Sequence, residues 1–243
     1  MIVLIITAVR IKSMDSHRIS GRILAENIAG PGMLRLVEQS MQARARKTSV
    51  TEIAVKERKH PQAALTFDDG PDIRYTPLLL DGLKERNVRV SFFLLGEKVE
   101  QYPELVERMQ KEGHLVGNHT YHHVQLNKLN ETKAREEILK TNNLIYETTG
   151  VYPLYLRPPF GAWKKNLELC VEMLPVFWTI DTLDWKVQNT EKIVRTVQEK
   201  IEDGAIILMH DEYDTSVEAA LQVVDELKNQ GYELVTVDQL ILP

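Results

Sequence analysis

A single cysteine, Cys170, stands in the whole 243-residue chain. An intramolecular disulfide framework and a cysteine-rich zinc site are therefore excluded, and any metal centre must be built from His, Asp and Glu. An excess of positive charge is missing too. The formal net charge is −5, which argues against a dedicated nucleic-acid binder. No apolar run approaches the roughly 20 residues of a membrane-spanning helix, and there is no short-period repeat or low-complexity tract. What is present, 43% hydrophobic and 27% charged residues, is the composition of a globular chain. Its length suits one large domain with a tail, or two small domains.

The charge is unevenly spread. Residues 10–61 hold eleven Lys/Arg against five Asp/Glu, a balance of +6, so the chain from Gln62 onward carries −11. Met1 opens an apolar stretch, residues 1–9 (MIVLIITAV), without a basic leader or a small-x-small cleavage site. It reads as a packed N-terminal strand, a remnant of an export or anchor segment, or a disordered end; any membrane contact is expected only there. After the break at Ala29-Gly30-Pro31-Gly32, residues 33–45 place Met33, Leu36, Val37, Ser40 and Met41 on one helical stripe. Residues 56–60 (KERKH) read as a charged linker. Residues 1–61 are accordingly expected to be an N-terminal extension and residues 62–243 the main domain.

From Ala63 onward short apolar runs alternate with longer amphipathic ones. Strands are predicted at 63–67, 90–95, 115–118, 154–157, 176–180, 205–210 and 233–237. Helices are predicted at 77–86, 103–112, 130–149, 166–173, 190–202 and 216–230. Thr76-Pro77 reads as an N-cap with Pro at the first helical position, and Gly150 as a C-cap. About seven βα units imply an α/β fold with a parallel sheet, either a barrel or an open doubly wound sheet. Five polar clusters follow five of the predicted strands, where such sheets place active sites.

Each cluster has a bland and a chemical reading. Asp68-Asp69-Gly70-Pro71 is a turn, or a pair of catalytic carboxylates. His119 and His123 lie four apart, so on one helical turn both imidazoles could share a cation, while His122 points elsewhere. Two His and one Asp make a first-row divalent site with open positions; zinc is the first choice, and cobalt, nickel, manganese and iron are admissible. Arg157 precedes a rigid Pro158-Pro159-Phe160-Gly161 loop and could hold a carboxylate ionised, or form a plain salt bridge. Asp184 could orient a histidine and raise its pKa; Trp185 is a sugar platform or a core aromatic. His210 closes a strand and is structural, or a general acid.

Taken together the five clusters resemble the motifs of the polysaccharide deacetylases of carbohydrate esterase family 4: TFDDGP, H(S/T)xxH, RxPF/Y, DxxDW and LxH. The sequence carries TFDDGP at 66–71, HTYHH at 119–123, RPPF at 157–160, DTLDW at 181–185 and LMH at 208–210, in that order. The resemblance spans about three quarters of the chain, residues 63–242. It implies a distorted (β/α) barrel of about seven parallel strands. It implies Asp68 as general base, positioned by Arg157, and Asp69, His119 and His123 as ligands of the divalent metal. It further implies a Phe160 N–H in the oxyanion hole, His210 as general acid tuned by Asp184, Trp185 and Leu208 lining the acetyl pocket, and Pro159 as a further substrate-binding residue.

The resemblance also implies the activity: hydrolytic removal of acetyl groups from N-acetylglucosamine units of an acetylated polysaccharide, foremost peptidoglycan. Chitooligosaccharide and acetylxylan are the alternative substrates, and an inactive carbohydrate-binding homologue is the non-enzymatic alternative. A secreted or cell-surface monomer without nucleic-acid partners is expected; a cytoplasmic location is the alternative.

Overall fold

The computed structural model describes residues 59–163 and 173–241. The N-terminal strand, helix and linker readings, and the helix predicted at 166–173, lie outside or almost wholly outside these residues.

The strands are β1 (Gln62–Asp68), β2 (Ser91–Leu94), β3 (Leu115–Asn118), β4 (Tyr155–Leu156), β5 (Leu174–Pro175), β6 (Ile180–Asp181), β7 (Ala205–His210) and β8 (Glu233–Leu234). The helices are α1 (Tyr75–Glu85), α2 (Gly96–Gln101), α3 (Pro103–Lys111), α4 (Glu131–Thr149), α5 (Asp184–Val187), α6 (Thr190–Lys200), α7 (Asp214–Asn229) and α8 (Val237–Ile241). All strand pairs are parallel, and seven strands run in the continuous order β5-β4-β3-β2-β1-β7-β6. β8 lies off this path and pairs with the start of β1. β7 takes one whole edge of β1, while β8 and β2 share the other.

The two ends of the path, β5 and β6, are consecutive in the chain and separated by residues 176–179 only. So short a link spans at most about 17 Å, so the sheet curls until its edges face one another. That is the distorted, incompletely closed barrel. It corrects the single strand predicted at 176–180: residues 176–179 are the link between two short strands on opposite edges, and only Ile180 lies in one of them. The strand predicted at 233–237 is also shorter. The Val237 N–H goes to Ser91 Oγ at 3.0 Å and opens α8 instead of extending the ladder.

β1 reads QAALTFD with six of its seven residues buried, as a central parallel strand covered on both faces must be. Its side chains alternate between two layers. Leu65 and Phe67 pack outward with Leu79, Leu80 and Leu83 of α1 and with the apolar stripe of α7. Ala64 points inward with Phe93, Tyr155, Val176 and Val237, and Thr66 and Asp68 share its side. The barrel interior therefore turns from apolar at the start of the strands to polar at their C-terminal ends.

Helix limits follow local chemistry. Asn130 accepts from the Lys133 N–H and opens α4, and Gly150 closes it at φ 72°. Asn189 caps α6 in the same way. The cap expected from Thr76 is corrected. Asp72 Oδ1 accepts from the Arg74 and Tyr75 N–H groups at 2.8 and 2.9 Å, and Thr76 turns its hydroxyl inward to Asp211. Among the described residues no helix is long and apolar enough to cross a membrane.

Candidate active site

The clusters that follow the strands converge at the C-terminal ends of β1, β3, β4, β6 and β7. Asp68 ends β1 and is the register partner of His210, which ends β7. Asp69 follows in a left-handed backbone, φ 69°. Its Oδ1 lies 3.4 Å from His119 Nε2 and 3.4 Å from His123 Nε2, and its Oδ2 lies 3.9 Å from His210 Nε2. Burial pushes the Asp69 carboxyl up, but the three imidazoles outweigh it and hold the group well below the usual carboxylate range.

The two histidines do not meet on a helical turn, as their spacing had implied. They sit on a loop after β3 in which Thr120 and His123 both adopt positive φ, 67° and 54°. The loop is pinned from several sides. The Asn118 carbonyl oxygen Oδ1 accepts from the Thr120 N–H at 2.7 Å, and the Gly96 N–H of α2 donates to the Thr120 carbonyl at 2.9 Å. Glu137 Oε2 accepts from the Tyr121 and His122 N–H groups. His122 points away, exposed and bound to Glu137 at 2.8 Å. His119 Nδ1 lies 2.7 Å from the Arg157 carbonyl, an acceptor only, so Nδ1 donates and Nε2 is the nitrogen that faces Asp69. Burial lowers the pKa of His123, which keeps its imidazole neutral.

One carboxylate oxygen and two imidazole nitrogens, mutually within 4.8 Å, form the one group of metal-ligand type found among the described residues. Asp69 Oδ1 is buried without a hydrogen-bond partner. A buried carboxylate oxygen so placed is costly unless something charged completes it. The donor set fits a divalent cation.

Arg157 is wholly buried. Its Nη1 donates to Thr66 Oγ1 at 2.7 Å and to Asp68 Oδ1 at 2.8 Å, and its guanidinium stacks over Phe93 at 4.3 Å. Across the site Asp184, also wholly buried, accepts from the His210 N–H at 2.7 Å and from His210 Nδ1 at 2.8 Å. Burial disfavours the imidazolium of His210, but Asp184, then Asp68 and Asp69, outweigh it and raise the pKa to about 9. The arrangement therefore holds a carboxylate paired with a guanidinium on one side and a proton-carrying imidazole on the other.

The sequence profile of the polysaccharide deacetylase family matches residues 55–177. The chain belongs to that family. Over 185 residues it is 42% identical to the peptidoglycan-N-acetylglucosamine deacetylase PgdA of Listeria monocytogenes, covering 76% of this chain and 40% of that protein. It thus spans about two fifths of that relative's length. A peptidoglycan-N-acetylglucosamine deacetylase of Bacillus cereus is 40% identical over 186 residues, 74% of this chain and 68% of that one. The solved structure of the peptidoglycan deacetylase PdaC from Bacillus subtilis superposes with a TM-score of 0.73 at 41% identity, over 75% of this chain and 91% of that chain.

Of the residues singled out from the family's motifs, Asp68, Asp69, His119, His123, Arg157, Asp184 and His210 form one contact network. Phe160 joins it by its ring, 4.5 Å from that of His123, and sits at φ 59° in the turn Pro159–Gly161, 63% exposed. Pro159 and Leu208 are buried, and Trp185 is half exposed on α5. Four neighbours escaped the sequence reading as site residues: Thr66, Asn118, Glu137 and Asp211. Thr66 and Asp211 carried a signal, the first as the opening residue of TFDDGP and the second as an acid directly after His210.

Proposed function

We propose that residues 62–243 form the catalytic domain of a metal-dependent polysaccharide N-deacetylase, with residues 1–61 an extension outside it. Its substrate would be N-acetylglucosamine units of peptidoglycan, reached at the cell surface or after secretion. The observation that carries this reading is the orphaned Asp69 oxygen facing two imidazoles, flanked by Asp68 and His210. The names of the Listeria and Bacillus relatives support the wall polymer as substrate.

Asp69, His119 and His123 would hold the cation, zinc first by ligand type, with cobalt, nickel, manganese or iron suited to the same donors. Bound there, it supplies Lewis-acid polarisation of the acetyl carbonyl and acidifies water. Asp68, oriented by Arg157, takes a proton from the attacking water as the water's oxygen bonds to the acetyl carbon. The Phe160 N–H is assigned to the developing oxyanion. His210, held by Asp184 in its protonated form, gives a proton to the amide nitrogen as the C–N bond breaks, leaving acetate and a free amine. Pro159, Trp185 and Leu208 are assigned to the walls around the acetyl methyl group.

The test is acetate release by chelator-treated and metal-restored protein, side by side on peptidoglycan, chitooligosaccharide and acetylxylan. Metal-dependent release from peptidoglycan above the other two is expected. Preference for another polymer moves the substrate class, and no release from any overturns the enzymatic reading.

A further inference from the structure

Behind the site lies a second buried carboxylate. Asp211 is fully buried, one residue past His210. Its Oδ2 accepts a hydrogen bond from Thr76 Oγ1, which in turn accepts from the Asp72 N–H at 2.7 Å. Its Oδ1 has no hydrogen-bond partner. Burial pushes the carboxyl up to about 7. An apolar side chain would fill such a position at far lower cost.

What the carboxylate touches is the turn carrying Asp69. A Cβ built on Gly70 would lie 2.5 Å from Asp211 Oδ1 and 2.9 Å from Oδ2, so the carboxylate rests directly against the Gly70 backbone. On another side the Gly70 carbonyl accepts from the Leu95 N–H at 3.2 Å, at the start of α2. The next residue, Glu212, pairs with Lys98 of α2. The end of β7 thus places His210 in the site, Asp211 behind the Asp69 turn, and Glu212 on the helix supporting the histidine loop. Asp69 itself stands at φ 69°, a conformation costly for a residue with a side chain and held only by its surroundings.

We propose that Asp211, braced by Thr76, is a positioning residue for the cation site. Its carboxylate forms the wall behind Gly70 that fixes the turn aiming Asp69 between His119 and His123. The proposal rests on the reading that these three residues hold a divalent cation. It adds a support that reaches the ligand through the backbone of the following residue, as supports behind metal ligands commonly set affinity.

The test uses the full chain and Co2+ alone. Affinity is measured by competition with a chelator, and ligand geometry by the visible absorption of the bound ion. Asp211→Ala is expected to weaken Co2+ binding by about 10- to 100-fold and to alter the absorption bands. Asp211→Asn keeps the shape and an acceptor for Thr76, and is expected to restore most of the affinity. On substrate, kcat should fall in Asp211→Ala with KM little changed. Wild-type affinity and spectrum in a folded Asp211→Ala protein would overturn the proposal, and failure of the Asn variant to rescue would overturn its account of shape and acceptor. If Asp211→Ala does not fold, Thr76→Val decides. It removes the brace within the same volume, and a tenfold weaker Co2+ complex supports the proposal while an unchanged one sinks it. A wild-type protein that takes up no Co2+ removes the cation reading itself, and this proposal with it.

Discussion

Arg157 serves Asp68 and His119 with different parts of itself. Its guanidinium donates to Asp68 Oδ1 at 2.8 Å, and its backbone carbonyl lies 2.7 Å from His119 Nδ1. One residue past β4 therefore sets the orientation of a carboxylate on β1 and an imidazole after β3. It can do so because it is wholly buried, stacked on Phe93 and tied to Thr66.

Removing that guanidinium strands a buried charge. Arg157→Met is expected to destabilise the fold by about 3–5 kcal/mol, as read from urea unfolding. Arg157→Lys should recover only part of this, because a single ammonium cannot replace the fork of donors. A loss below about 1 kcal/mol, the range of exposed ion pairs, would show that Asp68 finds another partner.

Ligands and base should separate. Asp69→Ala and His119→Ala are expected to lose cation binding and turnover together. Asp68→Asn should retain the cation while turnover falls about 10²- to 10⁴-fold. His122→Ala, whose ring turns out to Glu137, should leave both unchanged. Calorimetric metal titration alongside acetate release tests all four, and normal turnover in Asp68→Asn would remove Asp68 as the base.

The Asp184–His210 pair sets a pH limit. Asp184 favours the imidazolium, so Asp184→Asn must lower the pKa of His210 from its raised value. The imidazole then loses its proton at lower pH, and the alkaline limb of kcat against pH should move in the acid direction. A bound cation repels the imidazolium, so the wild-type limb itself should fall below 9. An alkaline limb at the same pH in both proteins would dissociate it from His210.

A proton donor matters most to a poor leaving group. His210→Ala is expected to slow cleavage of an N-acetyl sugar far more than cleavage of an acetate ester with an activated leaving group. Rates for the two substrates compared in one variant decide it. Equal losses would count against His210 as the acid.

His114 gives a stability signal remote from this chemistry. It is buried at the start of β3, its Nδ1 accepts from the Val90 N–H at 3.1 Å, and burial lowers its pKa to about 4. The unfolded imidazole binds a proton near pH 6.5, so its folded, neutral form contributes stability above that pH. That contribution is lost as pH falls toward 4. The melting temperature should drop across this window, and the drop should shrink in His114→Asn. A His114 ring titrating near 6.5 in the folded protein by NMR would contradict it.

The chemistry was legible because it is carried by residue identity in short motifs. TFDDGP, HTYHH, RPPF, DTLDW and LMH announce their donors whatever the backbone does. The end of α4 was legible from its cap, Gly150, whereas the cap read at Thr76 was not the one used. The fate of the strand predicted at 176–180 was not legible, because its apolar residues fill the gap between the two sheet edges, and only closure of the sheet makes that gap. The helical turn expected for His119 and His123 failed for a related reason: spacing reports one regular period, and the loop uses none.

Residue types and their order determined the parallel α/β architecture and the donors available to a cation. Tertiary structure alone decided how those donors face one another. Of the seven non-glycine residues with positive φ among the described residues, five, Asp69, Thr120, His123, Phe160 and Leu183, lie within the five motifs or the loop that carries them. Local preference opposes each by about 1–2 kcal/mol. They hold because distant partners pin them, among them Gly96 and Glu137 for the histidine loop, and such partners have no signature in the neighbouring sequence.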